Sequence, residues 1–230
     1  MNRNTKENQW WDYTWNPIAG CSPISEGCQN CYAAGMSKRF GWPWGAATFH
    51  LERLEEPIEL KKPSRIFVCS MGDFFHASVN TVWIDNILEV MAACPEHTFM
   101  VLTKRAHLIE PKLYEVTAEN PCRELGEGDY LPNLWLGATI ETQAHEQRIF
   151  FLLSIPAAVH FVSVEPMLEP VSLKRRVDFV IAGPETGQGA RPCRDEWIDA
   201  LAAESPCFFD KRKNGTRREF PNSRDAAQGK

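Results

Sequence analysis

Five short apolar runs, each followed directly by polar residues, constrain the fold of this 230-residue chain more than any other feature. They are rich in β-branched and aromatic residues and lie at RIFVCS (65–70), TFMVLT (98–103), LWLGAT (134–139), VHFVSV (159–164) and DFVIAG (178–183). Apolar runs of this length are typical of strands that are buried on both faces of a parallel sheet. The sequence therefore predicts a parallel sheet with at least five strands.

Amphipathic helical patterns lie between these runs. The clearest apolar face is formed by Trp83, Ile84, Ile87, Leu88 and Met91. Further helices are predicted around Trp197, Ile198 and Leu201, over 31–40 and, with a weaker pattern, over 143–153. Strands that alternate with helices predict βαβ units and an α/β fold. With a sixth strand before Cys21, they suit either a doubly wound sheet or an incomplete β/α barrel.

Every one of the five runs ends in charged or small polar residues. The segments that follow them are MGDFFH, KRA, IET, EPM and PETG. Enzymes with β/α folds place their sites at the carboxyl edge of the sheet, where such segments meet. Because four of the five segments carry an acidic residue, we expect a ring of ligand groups around the mouth of a cavity.

The composition predicts one domain over residues 1–230. The chain is 43% hydrophobic, which is enough for a substantial core, and no repeat, low-complexity tract or linker divides it. We expect residues 1–10 and the basic end of the chain, 212–230, to be flexible.

Composition and charge also narrow the compartment and the partners. The polar start MNRNTKENQWWDYTW is not a signal peptide, and the apolar stretch 149–164 is too short and too interrupted to cross a bilayer. Eight cysteines without a secretory signal indicate a reducing compartment, so we expect a cytoplasmic protein with no membrane contact. The net charge of −5 does not indicate a nucleic-acid binder, although the basic run KRKNGTRR (211–218) permits phosphate contacts.

Three of the cysteines are crowded into GCSPISEGCQNCYAAG (20–35), with six residues between Cys21 and Cys28 and two between Cys28 and Cys31. A disulfide framework is disfavoured because the other five cysteines are scattered, mostly in apolar contexts that are typical of buried thiols. A structural zinc site takes four ligands, so zinc here would need a distant fourth ligand. Three thiolates also suit a 4Fe–4S cluster in which one iron is left open to a small molecule.

The cysteine loop resembles the cluster-binding loop of the radical S-adenosylmethionine (SAM) enzymes, although their usual spacing is three residues and then two. Other segments resemble a phage-associated, radical-SAM-like family of largely unknown function, namely TWNPIAGCSPISEGCQNCYA, RIFVCSMGDFFH, FMVLTKR, LWLGATIE, VSVEPMLEPV and VIAGPETGQGARPC. The resemblance implies a partial (β/α)6-type TIM barrel with one 4Fe–4S cluster on Cys21, Cys28 and Cys31. The ending FFDKRKNG departs from the FF-K-Q-W-G pattern of that family.

The same resemblance implies how SAM binds. Met71, Gly72 and Asp73 take the place of the glycine-rich acidic turn that holds the SAM amino group, and Tyr32 is the aromatic residue beside the third cysteine. Polar groups for the rest of SAM are expected at Lys104, Thr139, Glu141, Ser163 and Glu165, and Gly183 belongs to a segment, IAGPE, that resembles the motif supporting adenine. Residues expected to contact the substrate or to act in catalysis are His76, Glu185 and Arg191.

The resemblance finally implies an enzyme that cleaves SAM to a 5′-deoxyadenosyl radical for hydrogen abstraction or rearrangement, as an isomerase does. The phage association suggests a modified thymidine base in phage DNA as the substrate, in the cytoplasm of the bacterial host. An electron donor such as flavodoxin, or dithionite in vitro, is required. Two alternatives stay open: an enzyme of this kind that acts on a peptide or a tRNA, and a non-catalytic zinc-binding module.

Overall fold

The computed structural model describes residues 1–5, 9–119 and 131–221. Its strands are β1 (Asn2–Arg3), β2 (Tyr13–Trp15), β3 (Ile18–Ala19), β4 (Thr48–Phe49), β5 (Arg65–Val68), β6 (Thr98–Thr103), β7 (Leu134–Thr139), β8 (Val159–Val164), β9 (Phe179–Ala182) and β10 (Phe208–Asp210). Its α-helices are α1 (Tyr32–Phe40), α2 (Thr81–Ala93), α3 (Ile109–Glu119), α4 (Arg148–Leu152) and α5 (Asp195–Glu204).

Eight of the strands form one sheet in the order β1-β2-β5-β6-β7-β8-β9-β10. All neighbours from β2 to β10 pair in parallel, and only β1 pairs antiparallel, with β2. The five strands predicted from the apolar runs are confirmed, and β2 is the strand expected before Cys21. The sequence analysis missed β10, because its three residues are too few to show a periodic pattern.

The helices follow the predicted apolar faces. In α2 the residues Ile84, Ile87, Leu88 and Met91 are buried, and the side chain of Asn80 caps the helix by accepting a hydrogen bond from the Trp83 amide at 3.0 Å. Helix α1 ends at Gly41, whose positive φ of 68° forms a left-handed cap. The segment predicted as a weaker helix over 143–153 is a 3₁₀ turn (Gln143–Gln147) followed by the short helix α4.

Alternate residues of the strands belong to two different hydrophobic clusters. One face of the sheet contributes side chains such as Ile66, Phe99 and Val162, which pack with buried residues of α2, α3, α4 and α5. The opposite face forms a second, strongly aromatic cluster with Trp10, Phe67, Met100, Trp135, Phe161 and Phe179. Both faces are therefore buried, which explains why the strands read as continuous apolar runs.

The fold is thus mixed α/β with a mainly parallel sheet, in agreement with the predicted class. Within the described ranges, the helices are all too short or too polar to cross a membrane. Of the segments predicted to be flexible, 6–8 and 222–230 lie outside the described residues, whereas Asn2 and Arg3 form β1. One of the scattered cysteines, Cys122, also lies outside them; Cys69 and Cys94 are buried thiols, as expected.

Candidate functional site

A cavity of about 1050 Å³ opens at the carboxyl edge of the sheet. All seven parallel strands contribute to its wall, because each one ends there and a residue at or just after its end lines the cavity. In strand order, these residues include Asn16, Ser70, Lys104, Thr139, Glu165, Glu185 and Lys211. The ring of polar strand ends that the sequence predicts is therefore one continuous wall.

The three clustered cysteines line this cavity together. Cys21, Cys28 and Cys31 are half-buried free thiols, and Cys31 directly precedes helix α1. The loop needs a glycine before its first cysteine, since Gly20 has a φ of 94° and a side chain there would lie 2.1 Å from the Ala46 carbonyl oxygen. The loop thus turns sharply between the main sheet and the small β3–β4 sheet.

Arg105 connects the cysteine loop to the turn after β5. Its Nη1 donates hydrogen bonds to Asp73 Oδ2 at 2.9 Å and to Cys21 Sγ at 3.4 Å. Its Nη2 donates to the carbonyl oxygen and the hydroxyl of Ser22, at 2.7 and 3.1 Å. Burial opposes the charge of Arg105, but the attraction of Asp73 and Cys21 outweighs it and raises the arginine pKa.

Both carboxylate oxygens of Asp73 are engaged within the protein. Oδ1 accepts hydrogen bonds from the Thr103 hydroxyl at 2.7 Å and from the Phe75 amide at 3.0 Å, while Oδ2 accepts from Arg105. Asp73 lines the cavity as expected, but its contacts are with residues of the β5 and β6 ends. Burial and the charge of Asp73 together raise the pKa of the Cys21 thiol.

Glu141 lies behind the cavity wall rather than on it. The residue is fully buried, and its carboxylate accepts hydrogen bonds from Ser25 Oγ and Arg148 Nη1, both at 2.6 Å, with Lys104 Nζ at 3.0 Å. Burial alone would raise the pKa of this carboxyl, but Lys104 and Arg148 lower it to about 2. The backbone of the cysteine loop lies against this carboxylate, since a side chain at Gly27 would approach it to 2.5 Å.

The segment after β9 is hydrogen-bonded to the cysteine loop from the other side. Glu185 Oε2 accepts hydrogen bonds from Asn30 Nδ2 at 3.0 Å and from Arg191 Nε at 2.9 Å, and Arg191 Nη1 donates to the Glu26 carbonyl oxygen at 3.0 Å. These hydrogen bonds, chiefly those from Arg191, hold the pKa of Glu185 at about 2. Glu185 is thus a permanently charged anchor for the loop at neutral pH.

The structure brings most of the predicted site residues to one cavity, although these placements do not test their proposed roles. Those that line it are Cys21, Cys28, Cys31, Tyr32, Met71, Gly72, Asp73, Lys104, Thr139, Ser163, Glu165 and Glu185. Those that do not line it are His76, Glu141, Gly183 and Arg191. His76 contacts the cysteine loop through Ser22 Oγ at 2.8 Å, and a side chain at Gly183 would lie 2.9 Å from Lys211 Cβ.

Among the cavity residues, Asn16 and Lys211 had no role in the sequence analysis, whereas Arg105 was expected, together with Lys104, to bind the SAM carboxylate or a substrate phosphate or to form a plain surface pair. Asn16 accepts hydrogen bonds from Ser70 Oγ and the Met71 amide at 3.1 and 2.8 Å, Arg105 contacts Cys21, and Lys211 forms an ion pair with Glu165 at 2.5 Å. Asn16 and Lys211 directly follow strands β2 and β10. The sequence placed the first of these strands before Cys21 without bounds and did not predict the second, so the rule for strand ends could not be applied to either residue.

The basic run 211–218 is largely engaged in internal contacts. Lys211 pairs with Glu165, and Arg212 forms ion pairs with Asp199 and Asp210, each at 2.6 Å. Arg217 donates hydrogen bonds to the carbonyl oxygens of Ala202 and Ser205 at the end of α5. These contacts leave fewer free cations for phosphate binding than the sequence suggests.

Comparisons with known proteins correct the family expected from the sequence. The described residues contain no group of three or more His, Cys, Asp or Glu side chains arranged to hold a metal ion, and no radical SAM family matches. No curated protein and no solved structure matches the chain. The assignment to the radical SAM superfamily, with its phage-associated branch, is therefore wrong. Residues 5–216 instead match the family described as "Protein of unknown function (DUF5131)", and the chain belongs to that family.

Proposed function

We propose that this protein is an enzyme that holds one 4Fe–4S cluster on Cys21, Cys28 and Cys31 and uses it to cleave SAM. The observation that carries the proposal is the position of three free thiols on the wall of one large cavity at the carboxyl edge of the sheet. The proposal rests on this cavity and on the chemistry of its side chains, and not on membership of a known cluster-binding family.

The donor set fits a cluster better than a single ion. Around one metal ion the ligands must converge on a single point, and a closed structural site usually takes four of them, whereas this loop offers three cysteines. In a cubane each thiolate binds a different iron, so the three sulfurs stand further apart. The free thiols also suit a reducing compartment, and we place the protein in the cytoplasm.

When bound, a cluster with one iron free of protein ligands supplies the electron that splits SAM into methionine and a 5′-deoxyadenosyl radical. The residues of this chain would bind and orient the reactants. The hydroxyl-bearing residues Thr139 and Ser163 line the cavity beside Glu165 and offer groups for the ribose and the amino acid moiety of SAM. Glu141, behind the wall, and Glu185, on it, hold the cysteine loop in place.

We also propose that the sheet is curved into a partial β/α barrel. The strand order follows the chain order without the reversal that defines a doubly wound sheet. In addition, aromatic side chains pack against one another on the sheet face that points away from α2–α5. The ring centres of Trp10 and Phe161 are 5.6 Å apart, and those of Trp135 and Phe179 are 6.0 Å apart. Such packing is that of a filled barrel interior.

Cluster binding is tested by anaerobic reconstitution of the full chain with iron and sulfide. We expect about four iron and four sulfide ions per chain and a brown absorbance. Serine substitution of Cys21, Cys28 or Cys31 should remove most of this iron. The matched control is Cys193→Ser, because Cys193 is also a half-buried free cysteine but does not line the cavity. One colourless zinc ion per chain would instead support a zinc-binding module and overturn the proposal.

Catalysis is tested by adding dithionite and SAM to the reconstituted protein and measuring 5′-deoxyadenosine. We expect slow release of this product by the wild type and at least a tenfold lower rate for the Cys28→Ser variant. A loaded cluster that leaves SAM intact, including in the presence of DNA, tRNA and peptide substrates, would refute the proposed enzymatic function while leaving the cluster site in place.

A further inference from the structure

Arg105 carries a positive charge and donates a hydrogen bond to Cys21, one of the three proposed cluster ligands. It is 5% exposed, and the same nitrogen, Nη1, donates both to Cys21 Sγ at 3.4 Å and to Asp73 Oδ2 at 2.9 Å. Its other terminal nitrogen is bound to Ser22, so the four hydrogens on Nη1 and Nη2 all have acceptors. The guanidinium is thus fixed against the first cysteine.

The carboxylate of Asp73, which pairs with the Arg105 guanidinium, is also held in place by hydrogen bonds. The Thr103 hydroxyl and the Phe75 amide hold its Oδ1, and Asp73 is itself 5% exposed. A buried charge acts on its neighbours through a lower dielectric than water, so neither charge is fully screened. The sulfur of Cys21 therefore lies in the field of a cation in direct contact with it and of an anion one contact further away.

We propose that the Arg105–Asp73 ion pair sets the reduction potential of the cluster held by Cys21, which makes both residues positioning residues that act through that cysteine. This inference rests on the proposed function. The potential of an iron–sulfur cluster depends on the net charge around it and on hydrogen bonds to its sulfurs. The cation stabilises the added electron and raises the potential, whereas the anion opposes it.

A merely structural role for the pair would give a different pattern. If Arg105 and Asp73 only held the cysteine loop in place, loss of either would lower the cluster content in the same way and leave the potential of the remaining cluster unchanged. An electrostatic role requires shifts of opposite sign, because Arg105→Gln removes the positive member of the pair and Asp73→Asn removes the negative member.

The test is a redox titration of the anaerobically reconstituted full chain in the absence of SAM, with the cluster followed by its absorbance and electron paramagnetic resonance. We expect a lower potential for Arg105→Gln, a higher one for Asp73→Asn, and a potential near the wild type for Arg105→Lys, which keeps the charge. The matched control is Arg65→Gln, which breaks an Arg–Asp pair of the same 2.9 Å length away from the cysteines and should leave the potential unchanged.

The outcomes separate this inference from the proposed function. A wild-type chain that assembles no cluster overturns both. Two outcomes with an assembled cluster overturn the inference alone. In the first, the reduction potential of Asp73→Asn equals that of the wild type; in the second, the potentials of Arg105→Gln and Asp73→Asn shift in the same direction. If Arg105→Gln does not fold, Asp73→Asn and Arg105→Lys still decide the question, because they predict a rise and no change.

Discussion

At the scale of single residues, Glu141 is the clearest case of a charge whose partners define its role. It is fully buried and forms no part of the cavity wall, and it connects Ser25 of the cysteine loop to Lys104 after β6 and to Arg148 at the start of α4. A buried carboxylate with this many partners is a support for the loop, since its charge is already neutralised by cations of the protein.

Replacing Glu141 by glutamine should lower the free energy of unfolding at pH 7 by about 3 kcal/mol, because it leaves two cations without their carboxylate. The folded pKa of about 2 lies below the ordinary value of 4.5, so the stabilisation by the carboxylate is complete above pH 4.5 and is lost as the pH falls towards 2. The variant should therefore lose less stability than the wild type over this range. Denaturant unfolding at several pH values measures both effects.

The control for this prediction is Glu89→Gln, a substitution on the exposed side of α2. Its unfolding free energy should stay within about 0.5 kcal/mol of the wild type. Equal acid sensitivity of the Glu141→Gln variant and the wild type would show that the buried carboxylate is not the group whose protonation destabilises the fold.

At the scale of elements, the site depends on how separate segments fix the cysteine loop. The turn after β6 binds it through Arg105, the end of β7 supports it through Glu141, and the segment after β9 contacts it through Arg191 and Glu185. The loop itself contains only a short 3₁₀ turn, Glu26–Cys28, so its conformation is held mainly by these neighbours.

Replacing Arg191 by glutamine should loosen the loop without unfolding the sheet. The variant loses the ion pair with Glu185 and the hydrogen bond to the Glu26 carbonyl oxygen. Charge-assisted hydrogen bonds of this kind contribute about 1.5 kcal/mol, so amide exchange at Cys28, Gln29 and Cys31 should become roughly tenfold faster. Hydrogen exchange followed by mass spectrometry of peptides over 20–35 measures this change.

The matched control is Arg175→Gln, which breaks the more exposed pair of Arg175 with Glu146 at 3.6 Å, away from the cysteine loop. Exchange over 20–35 should be the same in this variant and the wild type. If Arg191→Gln leaves exchange over 20–35 unchanged as well, the segment after β9 does not restrain the loop.

At the scale of the whole molecule, the cavity adjoins the aromatic cluster on the face opposite α2–α5. Trp10 and Phe67 belong to both the cavity wall and the cluster, whereas Phe179 belongs to the cluster and does not line the cavity. Phe179, at the start of β9, is fully buried there, and its ring centre lies 6.0 Å from that of Trp135 and 5.8 Å from that of Phe220.

Phe179→Ala should therefore reduce the free energy of unfolding by about 3 to 5 kcal/mol, because it leaves a large cavity in this cluster. The iron bound per folded chain after reconstitution should equal that of the wild type. Phe150→Ala is the control, since this ring is 59% exposed, and it should be nearly neutral. Loss of iron from folded Phe179→Ala protein would show that the aromatic cluster and the cysteine loop are coupled.

The family assignment shows where reasoning from short segments fails. Apolar strands and polar strand ends follow from the demands of a parallel sheet with a site at its carboxyl edge, so several families can share them, and three clustered cysteines do not by themselves identify one family. The spacing of six residues between Cys21 and Cys28 already departed from the expected three. The family match covers residues 5–216, which is most of the chain, and it is to a family of unknown function.

The sequence by itself determined the class of the fold and the edge of the sheet where polar groups collect, because strand periodicity and strand ends are local properties. It also marked Cys21, Cys28 and Cys31 as one group. Only the tertiary structure decided which side chains face the cavity and which lie behind it. That Arg105 reaches Cys21 across 84 positions of the chain, and that Glu141 is fully neutralised by its partners, depends on distances in space that no sequence pattern encodes.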